Sequence, residues 1–208
     1  FMPSIVKSRP IMGNNENSVL LNLDKVRHFV FLRDKREFVK KENKAIFRGK
    51  IYEKPHRIAF FERWFGDSAC DIGAIAEKHI ICSEWVVPKM TLYDHFAFKF
   101  VICLEGNDVA SNLKWVMYSN SLAVMPKPTY ETWFMEGKLI PNYHYVEIKS
   151  DYSDLKERME YFIVHPDEAQ EIIRHAHEWC EQFFDAEREK LISLLVLEKY
   201  FKMTGQSS

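Results

Sequence analysis

The chain has 208 residues, 47% hydrophobic and 14% aromatic, enough for one large domain, or one and a half small ones, with a sizeable core. Twenty-nine basic residues against 30 acidic ones leave a formal net charge of -1, which argues against bulk nucleic-acid binding. No signal peptide is evident and no apolar run reaches the ~18 residues of a membrane span. The four cysteines, Cys70, Cys82, Cys103 and Cys180, lack CxxC spacing, so neither a zinc site nor a redox motif is indicated, and the set fits a reducing compartment.

Residues 1–24 are mixed, with Pro3, Pro10, Gly13 and an Asn-rich turn. Residues 26–32 predict a short strand. The stretch from Arg33 to Lys44 predicts a loop with a helical turn; its basic cluster is either a solvated hairpin or linker, or a contact for an anionic acceptor or membrane surface. Ala45 to Phe47 predicts a short buried strand running into Arg48-Gly49. From His56 to Phe65, Ile58, Phe61, Trp64 and Phe65 recur at helical spacing, with Gly66 as the stop. Asp71 to Glu77 predicts a loop with one helical turn, and Thr91 to Phe96 a short helix.

From Phe98 to Leu104 an apolar run predicts a strand covered on both faces. Val109 to Ser119 then predicts a helix, Leu122 to Met125 a strand, Thr129 to Glu136 a helix ended by Gly137, and Tyr143 to Ile148 a further strand. Three helices close the chain: Asp154 to Val164, a second starting at Pro166, and a third over about residues 186–201. Strands alternating with helices indicate an α/β fold with a mostly parallel sheet.

Strand, glycine turn, helix is how α/β proteins aim backbone N–H groups at a phosphate. Gly106, in Glu105-Gly106-Asn107-Asp108, can bring backbone close to a ligand. Ser111 adds a hydroxyl, and Lys114, a turn further on, is within reach of a diphosphate; the plain alternative is an ordinary turn with a surface lysine. Arg48, at a strand's carboxyl end beside Gly49, can fork onto a phosphate or pair with a carboxylate. Glu131, read in the first turn of a helix, either caps that helix or binds a sugar hydroxyl. Asp71 reads more readily as a turn residue than as a ligand. His175 and His177 do not share a helix face, so no metal site is expected.

The segments EGNDVASNLKW and SNSLAVMPKPTYETWFMEGKLIPNYHYVEIKSDYSDL, with IVKSRPI, NNENSVLLNLDKVRHF and the FRGK turn, resemble glycosyl transferase family 90, within it the bacterial LpsA-type lipopolysaccharide-core (lipooligosaccharide) transferases. The likeness covers the chain to about residue 185. It implies a GT-B fold of two Rossmann-like domains and inverting, metal-independent transfer of a hexose from a UDP-sugar. The acceptor would be a lipid-linked lipopolysaccharide-core saccharide at the cytoplasmic face of the inner membrane, with no resident cofactor. Alternatives are a protein O-glycosyltransferase or a non-catalytic nucleotide-sugar-binding module. On the resemblance, Arg48, Gly49, Gly106, Asn107, Ala110, Ser111 and Lys114 would hold the donor diphosphate, and Tyr130 and Glu131 would face the nucleotide sugar. Lys114 stands where many relatives have arginine, which keeps charge and loses the bidentate fork. The implied division is residues 1–41 as a remnant of the amino-terminal domain and linker, 42–185 as the donor-binding domain, and 186–208 as a terminal helix and tail. The chain opens at Phe1 and its early residues read as mid-protein sequence, so a fragment is expected, with the catalytic base in the missing domain.

Overall fold

The computed structural model describes residues 2–13, 15–23, 25–75 and 81–206. Three short strands come first, β1 (Ser4–Val6), β2 (Ser8–Pro10) and β3 (Ser18–Leu20), then the one-turn helix α1 (Lys25–His28). A 3-10 turn at Phe38–Lys40 leads into β4 (Glu42–Gly49), which is followed by α2 (Pro55–Trp64), β5 (Cys70–Ala74), α3 (Leu92–His95) and β6 (Phe98–Ile102). Next are α4 (Leu113–Met117), β7 (Leu122–Met125), β8 (Tyr130–Thr132), a 3-10 turn at Glu136–Lys138 and β9 (Val146–Glu147). Helices α5 (Leu155–Val164), α6 (Pro166–Glu181) and α7 (Ala186–Met203) complete the chain.

The central sheet has the order β5-β4-β6-β7-β9, and every pair in it is parallel. Its strands alternate between two apolar cores. Ala45, Phe47, Phe100, Ile102, Leu122 and Val124 face one core, built with α2, α5 and the start of α6. Ile46, Val101, Cys103, Ala123 and Met125 face the other, built with α4 and the end of α6. Burial on both faces explains the near-continuous apolar runs of β6 and β7. This is a Rossmann-like α/β layering.

The helices follow from the same patterning. Pro55 opens α2 at a position whose N–H needs no partner, and Gly66, at φ 82°, ends the segment in a conformation that favours glycine. Phe60 and Phe61 are fully buried beneath α2. Pro166 likewise opens α6, and Asp185 caps α7 by accepting from the Arg188 amide. A capping box between Thr91 and Asp94 nucleates α3.

Five predicted elements come out differently. Residues 26–32 form no strand: α1 ends at His28, and Phe29 and Phe31 instead join an aromatic cluster with Tyr118, Phe134, Phe183 and Phe184. The segment from Asp71 is strand β5 up to Ala74; Gly73 allows Val87 so close that a Cβ there would lie 1.9 Å from Val87 Cγ2. Residues 76 and 77 of that predicted loop lie outside the described residues. The helix expected over Val109 to Ser119 shrinks to α4, because Asn107 to Asn112 are bends and turns. There the Asp108 carboxylate accepts from Ser8 Oγ at 2.7 Å and pairs with Lys7 at 2.9 Å. The helix expected over Thr129 to Glu136 is strand β8 followed by the 3-10 turn, since β8 pairs antiparallel with β2. The strand at Tyr143 to Ile148 is reduced to Val146–Glu147.

Residues before β4 are therefore joined to those after β7 by the β2–β8 ladder, and Tyr200 Oη on α7 donates to the Pro3 carbonyl. Within the basic stretch, Lys41 is buried rather than solvated. It donates to Asp34 at 2.5 Å, Phe96 O at 2.8 Å and Ser121 Oγ at 2.9 Å.

Candidate functional site

In chain order the sheet strands run second, first, third, fourth, fifth. The order therefore reverses between β4 and β6. Ligands of open parallel sheets bind outside the carboxyl ends of the strands near such a reversal. A cavity of about 390 Å³ lies at the carboxyl ends of β6 and β7. The turn after β6 (Cys103 to Gly106), the segment Asp108 to Ala110, the loop after β7 (Met125 to Tyr130), His56, Ser150 and Tyr152 line it.

Hydrogen bonds fix these walls against each other. The Glu105 carboxylate accepts from the Thr129 amide at 2.8 Å, Thr129 Oγ1 at 2.5 Å and the Tyr130 amide at 3.2 Å. That stitches the turn after β6 to the loop after β7. His56 Nε2 lies 2.8 Å from the Glu105 carbonyl. Tyr152 has φ 60° and is buried, and burial pushes its phenol up to about 12. Trp64 Nε1 donates to the Tyr152 carbonyl at 3.1 Å, coupling α2 to this wall.

Of the residues predicted from sequence, Gly106, Ala110 and Tyr130 meet in this cavity. Asn107 and Ser111 belong to the same turn but are exposed outside the lining. Arg48 sits beside the cavity. It lies two residues beyond Ile46, which registers with Val101, and Cys103, two beyond Val101, is in the lining. Arg48 donates to Asp71 Oδ1 at 2.6 Å, Asp71 O at 2.7 Å and Phe47 O at 3.0 Å, and its buried Nε has no acceptor among the described residues. Gly49 packs on the ring of Phe47, two residues earlier, where a Cβ would meet Cζ at 2.7 Å, and its carbonyl accepts from the Ile75 amide.

Two residues have interior partners instead. Lys114 is fully buried, pairs with Glu136 at 3.1 Å, and lies 5.2 Å and 4.9 Å from the ring centres of Phe29 and Phe134. Glu136 reaches the cavity wall and Lys114 lies behind it. Glu131 lies on β8, not in a helix; its carboxylate accepts from Arg9 Nε at 2.9 Å and pairs with Arg9 Nη2 at 2.8 Å. The alternation of a strand turns Tyr130 to the cavity and Glu131 to the opposite face, where its cross-strand neighbour Arg9 pairs with it. Asp71 is the partner of Arg48 rather than a turn residue.

Sequence reasoning passed over His56, Thr129 and Tyr152 as site residues. Only Thr129 carried a signal, as the hydroxyl that directly follows Pro126-Lys127-Pro128 at the end of β7. Among the described residues no group of three or more His, Cys, Asp and Glu side chains is placed to hold a metal ion.

Comparison with known proteins bears on this geometry. The chain is 43% identical over 202 residues to O-glucosyltransferase LpsA of Dichelobacter nodosus, covering 97% of this chain and 63% of that protein. It is 29% identical over 112 residues to human Protein O-glucosyltransferase 3, covering 53% of this chain and 22% of the relative. It is also 29% identical over 87 residues to Protein O-glucosyltransferase 2 of Danio rerio, covering 42% and 17%. The chain thus spans less than two thirds of the length of these relatives. The sequence profile of Glycosyl transferase family 90 matches residues 21–206, through the β6 turn and the cavity it lines, and the chain belongs to that family.

Proposed function

We propose that this chain is the donor-binding part of a glycosyltransferase that moves a hexose from a UDP-sugar to a lipid-linked lipopolysaccharide-core saccharide, with inversion and without a metal. The observation that carries this reading is the cavity at the carboxyl ends of β6 and β7, with an unpartnered, buried Arg48 Nε at the end of the adjoining strand. The O-glucosyltransferase names of the relatives support glucose as the hexose.

In this reaction the acceptor hydroxyl oxygen attacks the anomeric carbon from the face opposite the diphosphate. The bond from that carbon to the diphosphate oxygen breaks, and its electron pair leaves with UDP. The acceptor proton passes to a carboxylate base. On the family resemblance that base belongs to the amino-terminal domain of a GT-B fold. This chain's own residues act on the leaving group. Arg48 would balance the charge that builds on the diphosphate, and Gly106 would let backbone approach it. Tyr130 would face the nucleotide sugar. The catalytic work of such a site is electrostatic, in a pocket whose donors are held before the ligand arrives.

The acceptor places the enzyme at the cytoplasmic face of the inner membrane as a peripheral protein; among the described residues no helix is long and apolar enough to cross a membrane. The names of the human and zebrafish relatives favour a second reading, a protein acceptor. Calorimetric titration with UDP, with and without EDTA, tests the donor site. Saturable binding that survives EDTA is expected. No binding would contradict the donor site, and binding lost with EDTA would contradict metal independence. Incubating the protein with radiolabelled UDP-glucose and either lipid-linked saccharide or folded protein separates the two acceptors.

A further inference from the structure

Arg57 lies on α2 and is nine-tenths buried. Its Nε donates to the Glu105 carbonyl at 2.9 Å, its Nη2 to the Leu104 carbonyl at 2.9 Å and its Nη1 to the Lys50 carbonyl. The Phe47 ring centre is 5.9 Å from the guanidinium carbon. Among the described residues no carboxylate pairs with it. A cation taken out of water and met only by carbonyl dipoles is costly to hold.

The peptide geometry says where an anion would sit. In a trans peptide the C=O and N–H point in opposite directions. The carbonyls of Leu104 and Glu105 point at Arg57, so the amides of Glu105 and Gly106 point away from it. Glu105 and Gly106 line the cavity and Arg57 does not. Neither amide donates to a protein acceptor among the described residues. A Cβ on Gly106 would lie 3.5 Å from Arg57 Nη2, so the guanidinium lies on that side of the glycine. Through Lys50 O, the same guanidinium fixes the loop that follows Arg48-Gly49. One side chain therefore sets both strand ends flanking the reversal. Successive amides turned to one side, with a positive charge behind them, make an anion-binding concavity.

We propose that Arg57 is a positioning residue for the donor diphosphate, holding the Glu105 and Gly106 amides toward the cavity and supplying positive charge behind them. This rests on the donor-site reading above. The test is titration of the wild-type chain, Arg57→Lys and Arg57→Gln with uridine, UMP and UDP. In Arg57→Gln, UDP affinity is expected to fall about 10- to 100-fold, the range for losing a charge-assisted hydrogen bond. Uridine affinity should stay within about twofold, and Arg57→Lys should lie between wild type and Arg57→Gln for UDP. Equal losses for all three ligands would mark a structural role and overturn the inference. Wild-type protein that binds uridine and UDP equally would instead overturn the donor-site reading. A measurement on wild type alone guards against variants that do not fold. The amide resonances of Glu105 and Gly106 should move downfield with UDP and not with uridine, and amides that stay in place would overturn the proposal.

Discussion

Lys114→Met separates two roles for one cation. In the sequence Lys114 reads as a hand for a phosphate; in the fold it is a strut, fully buried and paired with a Glu136 that is 1% exposed. Removing one partner of a buried pair leaves the other charge unpaired and costs about 3–5 kcal/mol. Glu136 keeps donors from the Thr132 amide at 2.6 Å and from Thr132 Oγ1 at 2.9 Å and 3.0 Å, which places the cost at the lower end, about 3 kcal/mol. Adding Glu136→Gln removes the stranded charge and should return about half of that loss. Urea denaturation reads both, the single variant lowering the midpoint by about 1 M for a chain of this size. In Lys114→Met, UDP affinity measured well below the melting range should change less than about threefold. A loss of UDP affinity exceeding tenfold (about 1.4 kcal/mol) with stability nearly unchanged would refute the interior assignment and restore Lys114 to the phosphate.

Other outcomes follow from the same packing. Gly73→Ala drives a Cβ to 1.9 Å from Val87 Cγ2 at the edge strand and should cost about 1–3 kcal/mol, seen as a lower thermal midpoint; an unchanged midpoint would mean that Val87 yields freely. Phe60→Ala empties a site that is fully buried between β4 and α2 and should cost about 3–5 kcal/mol by urea denaturation, with a loss under ~1 kcal/mol speaking against this core. Stability should fall above about pH 8.5. Burial pushes Cys70 up to about 12 and raises Cys103, Cys180 and Tyr145 as well, so the unfolded chain sheds these protons first and ΔG of unfolding drops as pH rises. Burial lowers Lys41 to about 8 and lowers Lys99 as well, and these two work the other way against the more numerous raised thiols and phenol; a urea midpoint that rises steadily from pH 8 to 10 would contradict the assignment. Arg9→Ala breaks the pair that joins β2 to β8 and should cost about 1–2 kcal/mol while leaving UDP affinity within about twofold. A larger loss of affinity would return Glu131 to the sugar site.

Much of the sheet was readable in advance. β6 and β7 are apolar on both faces, and only a strand covered on both sides has that composition, so their bounds were nearly right. α2, α5 and α6 were legible from helical spacing and from the proline or glycine at their ends. What stayed hidden depends on partners distant in the chain. β8 is three residues long and its ladder partner lies 122 positions earlier at the Arg9–Glu131 pair, so local pattern favoured a helix. α4 is shorter than its apolar spacing predicts because Asp108, just before it, is held by Lys7 and Ser8 from the distant amino-terminal segment. At the site, the glycine turn after β6 was visible because glycine after an apolar strand is a local signal. The interior pairing of Lys114 is hidden because nothing local reveals Glu136 twenty-two residues on. Arg57 was invisible as a site residue because PHRIAFF reads as one amphipathic helix, and its acceptors are backbone carbonyls that carry no side-chain signature.

The central claim is that the donor diphosphate sits on the turn after β6, next to Arg48. A crystal structure of the chain with UDP tests it most directly. The diphosphate is expected within hydrogen-bonding distance of the Glu105 and Gly106 amides, with Arg48 donating to it. UDP seated elsewhere, for example in the cleft between α7 and β3, with the β6 turn empty and Arg48 still held by Asp71, would contradict it.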